Sequence, residues 1–181
     1  MVERIFAGKE AIYNELILKV LYEKVFLTAW DLSKELAFLT LKPQESLTNK
    51  ARNVQSRLIG KQRRLEDLVN KQFLEKTESN CYCLTFKGLC SASVLFDEHE
   101  KPKPESPVFS RLGQMSSELT LSMQMLSSFF SEEYVGFHKY LRAVTNSLLD
   151  KGLRIEKVSN VQFLIFLMKS IIRFIIGNYV N

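Results

Sequence analysis

The chain has 181 residues, of which 46% are hydrophobic and 25% charged, and its formal net charge is +5. That balance excludes a generally disordered chain and leaves enough apolar side chain for a sizeable core, in one domain or two small ones. Only seven glycines and four prolines occur, and this scarcity of turn-formers predicts a mainly helical protein.

The opening stretch MVERIFAGKEAIYNEL carries acids early and no continuous apolar run, so no secretory signal is expected there. Residues 8–24 predict a first helix, with Ile12, Leu16, Ile17, Val20 and Leu21 as one apolar stripe. Phe26 and Leu27 follow a short break. Thr28 then suits the cap of a second helix carrying Trp30, Leu32, Leu36 and Phe38, with Asp31 at the positive end of the helix dipole. Leu41-Lys42-Pro43 ends that helix, because the residue before proline is driven out of helical conformation. Ser46 or Thr48 can cap a third helix from about Leu47 to Lys71, with Val54, Leu58, Leu65, Leu68 and Val69 on its buried side. Gly60 lies midway and either weakens this helix or splits it.

The third helix is the most charged element. Lys50, Arg52, Arg57, Lys61, Arg63 and Arg64 fall in a stretch without a single acid. Such a cluster is the footprint expected of a nucleic-acid face, although a solvated basic helix produces the same pattern. Next, Phe73-Leu74 begins a strand, and Thr77, Glu78, Ser79 and Asn80 make a polar tip. Cys81 to Phe86 returns as a second strand, with Tyr82 and Leu84 on one face, Cys81 and Cys83 on the other, and Lys87-Gly88 closing it.

Arg63-Arg64-Leu65, Leu68, Lys71 and Phe73-Leu74, followed by Tyr82, Leu84, Thr85, Lys87 and Gly88, make up the patterns "RL..L...G.L" and "Y.LT.KG". In these residues the chain resembles the winged helix-turn-helix superfamily over residues 8–92, with Gln72 where glycine is common. The resemblance implies a mainly α fold with a small β-hairpin wing. It also implies a third helix in the major groove of double-stranded DNA and a wing on the flanking backbone. The DNA-facing candidates are Asn49, Lys50, Arg52, Asn53, Gln55, Ser56, Arg57, Lys61, Gln62, Arg63 and Arg64 on the helix, and Lys76, Thr77, Ser79 and Asn80 on the wing. Arginine pairs bidentately with guanine, asparagine or glutamine with adenine, and lysine with phosphate.

The expected organisation is an N-terminal domain over residues 1–94, a linker over 95–108 and a C-terminal three-helix region over 109–181. The stretch 97–108 joins charge to proline, as linkers do. Helices are expected over 109–130, 132–151 and 158–179. The first carries Leu112, Met115, Leu119, Met123, Leu126 and Phe130, and the second Phe137, Leu141, Val144 and Leu148. The third is apolar almost all round, and its most apolar segment, Val161 to Ile176, is too short and carries Lys169 and Arg173, so a membrane span is not expected. It offers Leu164, Phe166, Leu167, Ile171, Ile172, Phe174 and Ile175 as a dimerisation face, because two-fold proteins place two recognition helices one DNA turn apart. The competing reading folds this region within one chain, where Met123, Met125, Phe129 and Phe130 line a pocket or a core.

Catalytic groupings are missing. His99 and His138 are the only histidines, Asp97-Glu98 and Glu132-Glu133 are sequence neighbours rather than facing pairs, and no phosphate-binding glycine loop occurs. An enzyme is not expected, nor a cofactor. Cys81, Cys83, Cys90 and His99 lack the second ligand pair of a zinc site, so no metal is expected. Three cysteines predict free thiols in a reducing, cytoplasmic setting. The sequence thus reads as a dimeric DNA-binding transcriptional regulator without a membrane partner. The alternatives are a protein-binding adaptor and a plasmid or viral replication or partition protein.

Overall fold

The computed structural model describes residues 5–96 and 134–166 together with position 169, the side chains of 134–140 excepted. Of the expected linker over 95–108 only Leu95 and Phe96 are described, Phe96 within the core cluster and Leu95 packed against it; residues 97–108 and the helix expected over 109–130 lie outside the described residues. The fold is mainly helical with a small three-stranded antiparallel sheet. No helix among the described residues is long and apolar enough to cross a membrane.

Helix α1 (Ala11–Lys24) leads into the two-residue strand β1 (Leu27–Thr28) and helix α2 (Ala29–Leu39). Thr28 caps α2 as its sequence suggests: its hydroxyl accepts from the Asp31 amide at 3.1 Å and donates to the Asp31 carboxylate at 2.7 Å. The ion pair with Lys34 at 2.7 Å and, after it, the Thr28 hydroxyl hold the Asp31 carboxyl below its usual range. The stripes are only partly as expected. Ile17, Val20, Leu21, Leu32 and Leu36 are buried, but Ile12 and Phe38 point outward at 56% and 69% exposure. Leu18 and Tyr22 take the missing places in the α1 core.

Helix α3 (Leu47–Ile59) starts at Ser46, whose side chain makes no capping bond. It buries Ala51, Val54 and Leu58. The expected single helix to Lys71 is in fact two, because Gly60 ends α3 and helix α4 (Arg64–Asn70) begins after a turn. A Cβ on Gly60 would lie 2.1 Å from the Ser56 carbonyl oxygen, so this chain path admits only glycine. Arg63 enters α4 in the left-handed conformation at φ 43°.

Gln72 ends α4 in a backbone conformation that glycine adopts most easily. It is left-handed at φ 61°, and its amide reaches Val69 O at 2.9 Å while the Phe73 amide reaches Leu68 O at 2.9 Å. This is the paired hydrogen bonding of a Schellman ending, which glutamine tolerates at some cost. Strands β2 (Leu74–Lys76) and β3 (Cys81–Leu84) form the hairpin, and β1 adds to its far edge in the order β1-β3-β2. Strand β1 escapes sequence reading because its two residues are strand only by pairing Leu27 with Tyr82 and Thr28 with Cys81.

Lys87-Gly88 does not close a strand. Thr85 caps helix α5 (Phe86–Ser93), all of which is buried. The Thr85 hydroxyl accepts from the Gly88 amide at 3.1 Å and donates to Gln72 O at 2.5 Å, tying the helix start to the end of α4. A Cβ on Gly88 would lie 2.1 Å from Phe73 O, so the helix packs against β2 only without a side chain there. Helix α6 (Tyr134–Leu149), a 3-10 turn (Ile155–Lys157) and the helical residues 160–166 follow. Leu141, Val144, Leu148, Ile155, Val158 and Phe163 join the same buried cluster as the core residues of α1 to α5. The Thr145 hydroxyl lies 2.7 Å from Cys90 O, and the Arg142 guanidinium donates to Phe96 O at 2.6 Å.

Candidate nucleic-acid interface

Helical periodicity places Asn49, Arg52, Asn53 and Ser56 opposite Ala51, Val54 and Leu58 on α3. All four are exposed, as is Arg57 at the flank. Among the described residues, none of the side chains of Asn49, Arg52, Asn53 or Arg57 has a hydrogen-bond or ion-pair partner. They form a polar, cationic ridge free of acids. Lys50 and Gln55 are half-buried, and the Lys50 ammonium is held by Glu45 at 3.0 Å. That contact and the Lys42 amide keep the Glu45 carboxyl below its usual range.

The turn after α3 exposes Lys61, Gln62 and Arg63, with Arg63 facing Glu66 at 3.6 Å. Arg64 departs from the expected outward set. It is buried, ion-paired with Glu10, bonded through Nε and one terminal nitrogen to Gln62 at 3.0 and 2.8 Å, and stacked 5.0 Å over the Tyr13 ring. The break at Gly60 and the left-handed Arg63 rotate it inward, where it ties α4 to α1. A run of basic letters carries no signal of that rotation.

At the hairpin tip Lys76, Ser79 and Asn80 are exposed, together with the acid Glu78. Thr77 is half-buried and structural: its hydroxyl accepts from the Cys81 amide at 3.1 Å, and its own amide reaches Cys81 O at 2.8 Å. Asn80 closes the tip in the left-handed conformation at φ 58°. Of the expected dimerisation set, Leu164 and Phe166 are half-buried against the core, while Leu167, Ile171, Ile172, Phe174 and Ile175 lie outside the described residues. Val161 and Ile165, one helical turn apart, are the exposed apolar residues there.

Cys81, Cys83 and Cys90 are free thiols. Burial pushes the Cys83 thiol up to about 12 and the Cys90 thiol well above its ordinary value, so neither supplies a thiolate at neutral pH. No group of three potential metal ligands occurs among the described residues.

A separate concave feature lies between the start of α1, α4 and the 3-10 turn. This cleft of about 620 Å³ is lined by Glu10, Asn14, Gln62, Arg63, Arg64, Glu66, Asp67, Asn70, Lys71 and Glu156, with Ala7 at its edge. Asn14 is the residue that sequence reading misses, since it hides within an apolar stripe. No protein-family model, no curated protein and no solved structure matches this chain.

Proposed function

We propose that this chain is a winged helix-turn-helix protein that binds double-stranded DNA through α3, acting as a homodimeric transcriptional regulator in the cytoplasm. The observation that carries this reading is the acid-free ridge of Asn49, Arg52, Asn53, Ser56 and Arg57, all exposed, whose side chains make no hydrogen bond or ion pair among the described residues. The element order supports it: α1, β1, α2, α3, then a hairpin whose sheet runs β1-β3-β2, with α4 inserted before the hairpin. In this reading Arg52 and the two asparagines read base edges, Arg57 and Lys61 meet phosphate, and Lys76, Ser79 and Asn80 touch the flanking backbone. The exposed apolar pair Val161 and Ile165 supports a second copy docking at the C-terminal segment.

The test is fluorescence anisotropy with random-sequence duplex DNA across a salt series. Affinity falls steeply as salt rises, through counterion release. Arg52→Ala and Arg57→Ala each weaken binding by about 1 kcal/mol or more with the fold intact. Absence of binding at low salt overturns the reading. A protein-docking adaptor then gains ground, favoured by the exposed Phe38, Leu39 and Leu41 at the turn between α2 and α3.

A further inference from the structure

Resting on the DNA-binding reading above, we propose that α3 recognises an A·T-rich core: two adenines spaced two base-pair steps apart, with a G·C pair between them. Asn49 and Asn53 read the adenines, Arg52 reads the guanine, and the Thr48 methyl meets a thymine beside the first adenine. Side-chain chemistry sets the base composition. In the major groove asparagine pairs bidentately with adenine and arginine with guanine, whereas aspartate or glutamate accepts from cytosine. The outer face of α3 offers two asparagines, one central arginine and no acid. Arg57 lies at the flank of that face, and the Lys50 ammonium is held by Glu45 at 3.0 Å. Two adenines and one guanine therefore find a dedicated partner, and no cytosine does. Thr48, exposed in the first turn of α3, adds a methyl group that suits the C5-methyl of thymine.

Helix geometry sets the spacing. Residues four apart lie one above the other on a helix face. An α-helix rises about 1.5 Å per residue, so Asn49 and Asn53 stand about 6 Å apart along its axis. Successive base pairs rise about 3.4 Å, so two steps cover about 6.8 Å, nearly the same length. Arg52 lies between the asparagines along the axis, and its longer side chain reaches the intervening pair. Thr48, Asn49, Arg52 and Asn53 all fall in the N-terminal half of α3, the part that helix-turn-helix proteins set against base edges. The side chains of Asn49, Arg52 and Asn53 are exposed and make no hydrogen bond or ion pair among the described residues, so base contact breaks nothing inside the fold.

The experiment is selection of duplexes from a random-sequence DNA library by the full chain at low salt, repeated with Asn49→Ala, Arg52→Ala and Asn53→Ala. The parent is expected to enrich sites in which two A·T pairs, two steps apart, enclose one G·C pair. Each variant loses about tenfold in discrimination at its own base pair and keeps it at the other two. Replacing one adenine of the enriched site by 7-deazaadenine, which removes the N7 acceptor, weakens the parent by about tenfold and leaves the matching asparagine variant unchanged. Enriched sites rich in G·C, or the same sites enriched by the parent and all three variants, overturn the proposal. Retention of duplexes with no site enriched also overturns it and leaves the DNA-binding reading standing. A library that is not retained at all overturns both.

Discussion

A lysine ammonium at 1% exposure must find its partners inside the protein, and Lys87 does so with two carbonyls and a ring. Its Nζ donates to Lys71 O at 2.7 Å and Glu156 O at 3.2 Å and sits 4.2 Å from the centre of the Phe73 ring. Its own amide donates to the Asn160 side chain at 2.8 Å, and the Asn160 amide donates to Gln72 Oε1 at 2.9 Å. One residue thus pins the end of α4 to the C-terminal segment. Burial draws its pKa down to about 8, with Glu156 opposing and nearby Lys71 adding to the fall. An unfolded lysine titrates near 10.4. The native state therefore holds fewer protons than the unfolded state between those values, and stability rises with pH across that window. Between about pH 7.5 and 10, unfolding by urea should show the parent gaining about 2 kcal/mol relative to Lys87→Met, which lacks the titrating group. A constant difference between the two proteins would refute the assignment.

At the scale of elements, the legible features were those with local causes. The Thr28 cap, the stop before Pro43, the apolar spacing of α3 and the polar hairpin tip all follow from neighbouring residues. What escaped has distant causes. Strand β1 exists by pairing with β3, and α5 is a short helix whose start is fixed by bonds from Thr85 back to Gln72. Arg64 looked like the rest of the basic run and is instead a buried tie to Glu10, so the candidate interface is narrower than the letters suggest. The split at Gly60 separates a ridge free to meet a partner from a helix anchored in the core. Gly60→Ala sets a Cβ against Ser56 O, which is backbone and cannot step aside. Denaturant unfolding should show a loss of about 1–3 kcal/mol, the usual range for forced overpacking. A neutral result would mean that α3 and α4 re-form as one continuous helix, and circular dichroism would register the added helical content.

Across the whole molecule, the question is whether the C-terminal segment is a passenger or part of the core. Phe163 is fully buried in the same cluster as Phe73 and Phe86, and Thr145, Arg142, Glu156 and Asn160 each bond to a residue before position 97. Contacts of this kind couple the two parts energetically, so loss on one side should be felt on the other. Phe163→Ala removes a large buried ring and should cost about 3–5 kcal/mol. Hydrogen exchange locates where that loss falls. If the parts unfold as one cooperative unit, amides of α5 lose protection by the same free energy as those of α6. Protection lost in the C-terminal segment alone would instead mark it as a separately folding unit. The distinction reaches the proposed function, because a face that docks a second copy transmits its state to α3 only through a shared core. In that case Phe163→Ala should weaken DNA binding even in protein that is still folded, whereas a passenger segment would leave the affinity of a single copy unchanged.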